Sequence, residues 1–442
     1  MESKHVYPSR LSGEIRIPPS KSIAHRALIC AGLAEGQSVI SGLQFSQDIE
    51  ATIRCLRVLG CSVRVIERAD GDADGITVEI TGIGGNISES DDNRRAENSR
   101  RSFDCGESGS TVRFMIPIAA ALGIPAGYSG HGRLADRPLS VYEDCFRGRL
   151  GWKRGEKWLP LETDGRLPFG TYRLPGNVSS QFVSGLMFAL PMLTGDSEII
   201  LTTELESEPY VELTRGVLAD FGIHTDKTEQ GYRIPGGQTY RPGQIHIEGD
   251  DSQAAFITAA AALSAEPEGV LMTGLRRDSR QGDRAFLGIL ARMGVPMQWE
   301  EHGIRVFRAE CLTGGQDVDA SQTPDLVPVE AAVFSLAEGS SRIRNAARLR
   351  IKESDRLAVT AAQYTQAGAV IRETDDGLFM EGKPDGIAGG TADSCGDHRI
   401  AMSLAVLAQR AEHGILVTDS ASVRKSWPTF WEDFRRIGGR FE

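Results

Sequence analysis

A short pattern recurs six times along the chain: a polar, often basic opening runs straight into an apolar, Ala-rich stretch. Measured from Ser20, Ser108, Ser179, Asp251, Asp325 and Asp397, the steps are 88, 71, 72, 74 and 72 residues. A period near 72 residues marks repeated supersecondary units and constrains the fold before any single motif does. The apolar stretches, such as Ala27 to Ala34, Phe114 to Leu122 and Ala254 to Leu263, are apolar nearly all round. Each therefore reads as a helix buried inside its own domain. A second, amphipathic helix follows each and stops at Gly: Asp48 to Gly60, Pro138 to Gly151, Pro209 to Gly222, Gly282 to Gly294, Ser354 to Gly368 and Pro428 to Gly438. Pro near the start and Gly past the end is the usual asymmetry of helix termini. Short β-type runs complete each unit, as in Ser62 to Ile66 with Ile76 to Ile80, and Val370 to Glu373 with Leu378 to Glu381. The unit reads strand, buried helix, strand, amphipathic helix, hairpin.

Six such βαβαββ units over 442 residues predict an α/β protein of two domains, three units in each. If the polar helix starts face one way, six helix N-termini converge on a cleft. The polar stretch Gly84 to Arg101 lengthens the first step and reads as a mobile surface loop. Arg147 to Gly170 reads as an irregular insert.

The helix openings carry an anomaly. Ser20 is placed to cap a helix, yet Lys21 follows it, where the macrodipole disfavours a cation. An anion held between them resolves the conflict, with free backbone N–H groups, Lys21 and Arg26 forming the site. Taken alone, this stretch reads more readily as a solvated helix start with two surface cations. The anomaly repeats at His398-Arg399, at Arg424-Lys425, and at Arg133 and Arg137 before Pro138. Lys352 and Arg356 are four apart and share a face if that stretch is helical. The net charge of -11 argues against broad nucleic-acid binding, so clustered cations point to a small polyanion, or to two anions at once. Asp325 beside Pro324 is a good N-cap and, among cations, a candidate general base. Glu353 and His398 are further acid–base candidates. No phosphate-loop, dinucleotide or nucleophile-elbow motif occurs, and the eight His and seven Cys show no metal spacing. No metal or cofactor is expected. The odd, scattered Cys fit reduced thiols, and no export signal or membrane span is read, so a cytoplasmic protein is expected.

These residues resemble one family. Ser20-Lys21-Ser22 with Arg26, Gly106 and Gly109 with Arg113, Arg137-Pro138, Ser179-Ser180-Gln181-Phe182, Glu208-Pro209-Tyr210, Pro324-Asp325, Lys352-Glu353-Ser354-Asp355-Arg356, Asp397-His398-Arg399 and the Lys425 segment look like the 5-enolpyruvylshikimate-3-phosphate synthases. The matches run in order from about residue 11 to about residue 436. The resemblance implies two inverse α/β barrel-like domains, 1–19 with 248–442 and 20–247. The hinges would lie near 19–20 and 247–250. It implies transfer of the enolpyruvyl group of phosphoenolpyruvate to the 5-hydroxyl of shikimate 3-phosphate, through a tetrahedral intermediate, by a monomer.

Carried residue by residue, Lys21, Ser22, Arg26, Ser179, Ser180, Gln181, Ser207, Tyr210, Asp325 and Lys352 would hold shikimate 3-phosphate, with Arg348 added where an Asn often stands. Lys21, Gly109, Arg137, Gln181, Arg356, Arg399 and Lys425 would hold phosphoenolpyruvate. Asp325 would take the hydroxyl proton. Glu353, with Lys21 or Lys425, would serve the pyruvyl methyl carbon. Glu107 departs from a common Asn. Gly109 is retained, which implies inhibition by the phosphonate herbicide glyphosate. The sister enzymes acting on UDP-N-acetylglucosamine typically carry a Cys where this chain has Gly132. A non-catalytic anion-binding protein would leave Asp325 and Glu353 without a task.

Overall fold

In the computed structural model, residues 2–66, 75–84 and 100–442 are described. Twelve α-helices are present among them. In chain order they are α1 (Lys21–Leu33), α2 (Gln47–Leu59), α3 (Gly109–Ala121), α4 (Ser140–Cys145), α5 (Ser180–Ala189) and α6 (Glu208–Asp220), then α7 (Asp251–Ser264), α8 (Ala285–Arg292), α9 (Val327–Phe334), α10 (Arg356–Gln366), α11 (His398–Leu407) and α12 (Phe430–Arg436). The chain divides into two compact units, Met1–Pro19 with Glu248–Glu442, and Ser20–Ile247. Each unit has its own hydrophobic core.

One four-stranded sheet shows the pattern of all six. Arg101–Asp104 lies parallel to Ala126–Ser129, which is antiparallel to Leu161–Asp164, which is antiparallel to Gly151–Arg154. Numbered by position in the repeat, the strand order is 1-2-4-3. The buried helix joins the parallel pair, and the hairpin closes the sheet. Thr171–Leu174 starts a second such sheet and Asp317–Asp319 a third. The other three borrow a strand from far along the chain. Gln244–His246 supplies the first strand beside Gln37–Leu43. Leu11–Arg16 does the same for Ala265–Thr273, with Leu11 paired to Ala265, 254 residues on. Ser3–Tyr7 sits between Ile415–Thr418 and Arg440–Phe441. Where the chain passes between units, Asp250 N donates to Pro18 O at 2.9 Å.

The first helix of each repeat is buried because its composition allows nothing else. All 14 residues of α7 are buried, and its alanines let neighbouring elements approach from every side. Five of these six helices start on a side-chain cap: Ser20, Ser108, Ser179, Asp250 and Asp397 each accept a backbone N–H of the first turn. Asp325 does not. α9 opens through a 3-10 turn at Pro324–Leu326, and the Asp325 carboxylate is used elsewhere, so its N-cap reading is corrected.

Three other expectations change. The stretch Arg147 to Gly170 is no insert. It carries the hairpin Gly151–Arg154 and Leu161–Asp164 of its own repeat. Its strands alternate Trp152, Leu161 and Thr163 with a dense charged set, which hid the period. The helix expected over Pro138 to Gly151 is only α4, because Phe146 ends it and the second strand partner begins at Gly151. Lys352 and Arg356 do not share a helical face. Lys352 has extended backbone, and the Asp355 carboxylate caps Ala358 N, so α10 begins at Arg356. Most of the loop expected at Gly84 to Arg101 falls on residues 85–99, outside the described residues.

Candidate active site

In the 20–247 unit, the candidate residues gather at the starts of α1, α3 and α5. The Lys21 ammonium donates to Asp48 Oδ2 at 2.9 Å, so the cation at the wrong end of the helix has an anion from α2 beside it. Arg26, one turn deeper and buried, donates to Ser22 O and Thr214 Oγ1 at 2.7 Å, and to Tyr210 O at 3.0 Å. Burial pushes its pKa down to about 10. It therefore fixes Ser22 and Tyr210 from behind. Ser207, buried just before α6, takes a left-handed backbone (φ 56°), which turns the chain into Glu208-Pro209-Tyr210.

Arg113 organises the next part. Its guanidinium donates to Gly109 O (3.3 Å), Gln181 Oε1 (3.0 Å) and Pro138 O (3.2 Å), with the Phe182 ring 5.0 Å away. Gln181 in turn donates to Ser110 Oγ at 2.9 Å. One buried cation thus ties α3, α5 and the Arg137-Pro138 turn together. A Cβ built on Gly109 would stand 2.6 Å from Arg113 Nη1 and 3.0 Å from Arg137 Cζ, so any side chain there must displace a guanidinium. Ser179 caps α5, whose first residue, Ser180, is buried. Behind these groups runs a buried relay from His25 Nδ1 to Thr52, Thr111 and the Ser108 cap, with steps of 2.7, 2.7 and 2.8 Å. Burial drives His25 down to about 3, so it is neutral there.

In the other unit, the starts of α7, α9 and α11 are joined by two arginines. Arg399 donates to Ser252 Oγ (2.6 Å), Asp325 O (3.1 Å) and Asp325 Oδ2 (2.9 Å). Arg356, whose side chain is 2% exposed, donates to Asp397 Oδ2 (2.7 Å), Glu353 Oε2 (2.8 Å) and Asp325 Oδ1 (2.9 Å). Ser354 donates to Asp397 Oδ2 at 3.0 Å. The Asp325 carboxylate is thus clasped by one guanidinium on each oxygen. Burial alone would raise its pKa, but Arg399, Lys352 and Arg356 together hold it well below the usual carboxylate range. Asp397 is likewise held low: burial opposes this, and Arg356 and His398 outweigh it. His398 is buried at the first position of α11, with Nδ1 3.9 Å from Asp397 Oδ1. Arg348 donates to the Ser321 carbonyl. Lys425 ends a 3-10 turn, Ser420–Lys425, and is half-buried.

Sequence reasoning assigned no role to Asp48, Arg113, Ser252 or Asp397, all of which hold candidate residues in place. Asp397 had a signal, since it occupies the cap position that Ser20, Ser108 and Ser179 occupy in other repeats. Nothing local marked its pairing with Arg356, 41 residues away.

Glu107 stands against Gly132: a Cβ on Gly132 would lie 2.3 Å from Glu107 Oε1, and Gly132 has φ +58°. A side chain at 132, Cys included, needs both a left-handed backbone and displacement of that carboxylate.

Repeats of this topology build the fold of the enolpyruvyl transferase class. An enolpyruvyl transferase of Streptomyces tendae shares it at a TM-score of 0.76 and 17% identity, over 100% of this chain and 98% of that one. The chain belongs to the EPSP synthase (3-phosphoshikimate 1-carboxyvinyltransferase) family, whose model matches residues 6–434. A 3-phosphoshikimate 1-carboxyvinyltransferase of Clostridium kluyveri is 43% identical over 100% of this chain and 99% of its own length. One of Clostridium novyi is 40% identical over 99% and 98%. The EPSP synthase structure of Acinetobacter baumannii superposes with a TM-score of 0.81 at 25% identity, covering 100% of this chain and 99% of that one.

Proposed function

We propose that this chain transfers the enolpyruvyl group of phosphoenolpyruvate to the 5-hydroxyl of shikimate 3-phosphate, releasing phosphate. The observation that carries the reading is Asp325 clasped between Arg356 and Arg399 at the starts of three buried helices. In the 20–247 unit, Lys21, Ser22, Arg26, Ser179, Ser180, Gln181, Ser207 and Tyr210 serve shikimate 3-phosphate, and Lys21, Gly109, Arg137 and Gln181 serve phosphoenolpyruvate. In the other unit, Asp325, Arg348 and Lys352 serve the shikimate ester, and Arg356, Arg399 and Lys425 serve phosphoenolpyruvate. The substrates are small molecules. The reading includes a cytoplasmic monomer that needs no nucleic acid or membrane. No helix among the described residues is long and apolar enough to cross a membrane.

The chemistry proceeds in two halves. The shikimate hydroxyl oxygen bonds to C2 of phosphoenolpyruvate as Asp325 takes its proton, and C3 gains a proton from Glu353, Lys21 or Lys425. The tetrahedral adduct then expels phosphate and C3 loses a proton, leaving the enol ether. A carboxylate held by two guanidiniums is a weak base. Phosphoenolpyruvate brings a carboxylate and a phosphate, the groups that Arg356 and Arg399 prefer. Substrate binding draws the arginines off Asp325, and its basicity rises when the hydroxyl needs it.

Phosphate release is measured with phosphoenolpyruvate and either shikimate 3-phosphate or UDP-N-acetylglucosamine. Release with the first alone is expected; release with the sugar nucleotide alone would overturn the reading. The Glu107–Gly132 contact favours the first outcome.

A further inference from the structure

A second cationic site lies at the other end of the same buried helices. α7 spans 14 residues, so its C-terminus is about 20 Å from the Ser252–Arg399 contact at its start. There, Leu263 and Ser264, together with Gln409 and Arg410 just past α11, line a cavity of about 440 Å³. Arg10, Arg308, Arg410 and Arg440 surround it, contributed by four separate stretches of chain.

The arginines are the unusual part. Several exposed arginines of this chain have carboxylate partners, as Arg64 has Glu79 and Arg344 has Asp317. None of these four makes a side-chain hydrogen bond or ion pair among the described residues. They act on each other instead: burial first, then Arg308 and Arg10, lower the pKa of Arg410. Cations near helix C-termini can serve the last carbonyls, but these guanidiniums donate to none. The floor's side-chain polar groups bond among themselves and to the backbone. Ser9 donates to Gln409 Oε1 (2.7 Å), Ser264 donates to Ala260 O (2.9 Å), and the Gln409 amide donates to Ala405 O. Recognition is left to the guanidiniums, whose forked donors match phosphate and carboxylate oxygens.

We propose that this cavity binds a small metabolite carrying two or more phosphate or carboxylate groups, at a site separate from the catalytic one. Its volume is within the range of small-molecule sites, about 300–1,000 Å³. An anion held there offsets the effect of Arg308 and Arg10 on Arg410. The proposal does not depend on the reaction assigned above.

The test is calorimetric titration of the full chain with pyrophosphate and, separately, citrate, which divides phosphate from carboxylate recognition. The R308Q/R410Q variant should weaken binding of at least one by roughly tenfold or more, since two charge-assisted contacts are removed. R399Q, which alters the other end of α7 and α11, should leave that binding in place. The R308Q/R410Q melting temperature should stay within about 2 °C of the parent, and kcat/KM without added anion within about twofold, because both side chains are peripheral to the core. If R308Q/R410Q misfolds, R10Q/R440Q carries the same expectation. Coincident isotherms for parent and variant with both anions would overturn the proposal. So would binding lost in R399Q and retained in R308Q/R410Q.

Discussion

Asp325→Asn tests the central claim most directly. The amide keeps the shape of the carboxylate and one acceptor oxygen. It removes the charge and one of the two 2.9 Å acceptors for Arg356 and Arg399. Losing one charge-assisted hydrogen bond costs about 1.5–3 kcal/mol. Arg356 retains Asp397 and Glu353, so the guanidinium is not stranded. The melting temperature should therefore fall by only about 3–12 °C. Catalysis should suffer far more, with kcat down about 10²–10⁴-fold, because the general base is gone. KM for phosphoenolpyruvate should hold or fall, since the substrate no longer competes with Asp325 for the arginines. Steady-state phosphate release, with each substrate varied at saturating levels of the other, separates these effects. Because Asp325 is held well below the usual carboxylate range, kcat/KM of the parent should show no acid limb from it above about pH 4. A kcat within about tenfold of the parent would reduce Asp325 to a charge-balancing group and refute the base assignment.

Three further outcomes follow from the geometry. Gly109→Ala drives a methyl group against Arg113 and Arg137, and should raise KM for phosphoenolpyruvate about tenfold, as an overpacking cost of about 1–3 kcal/mol implies; an unchanged KM would remove Gly109 from the site. Asp397→Asn takes one carboxylate from buried Arg356 and should destabilise by about 3 kcal/mol, read as a lower urea midpoint. Glu330, fully buried in α9 with neither carboxylate oxygen bonded among the described residues, has its pKa raised to about 8, chiefly by burial and then by Asp283. Its proton is favoured in the folded state, so stability drains away as pH rises from the ordinary carboxyl range to about 8. Glu330→Gln should remove that slope, gaining on the parent by an amount on the order of 4 kcal/mol across the window; parallel stability–pH curves would contradict it.

The repeat was legible because its signals are local. A capping Ser or Asp, an apolar run and a closing Gly each speak for themselves, and the hairpin Val370–Glu373 with Leu378–Glu381 lies where alternation put it. Gly151–Arg154 and Leu161–Asp164 were not legible, because Lys153, Arg154, Glu156 and Lys157 crowd the hairpin with charge and leave few apolar positions to show alternation. The cations of the site announced themselves by standing against helix dipoles. Their partners did not. Asp48 lies 27 residues from Lys21, and Asp325 lies 74 from Arg399. Pairings of that range are made by tertiary packing, which single-sequence periodicity does not encode. The start of α10 could have been read correctly, since Asp355 before Arg356 is an ordinary cap signal.

The borrowed strands impose an order on synthesis. The segment Ser20–Ile247 contains every strand its three sheets need, so it can close as soon as Gln244–His246 leaves the ribosome. Leu11–Arg16 emerges earlier but waits for Ala265–Thr273, and Ser3–Tyr7 waits for Ile415–Thr418 and Arg440–Phe441. These two strands are thus made well before their partners. Meanwhile they are unpaired edges, open to pairing with another nascent chain. Charged and Gly residues within them, Lys4, Gly13, Glu14 and Arg16, are the kind that keep such an edge from pairing prematurely.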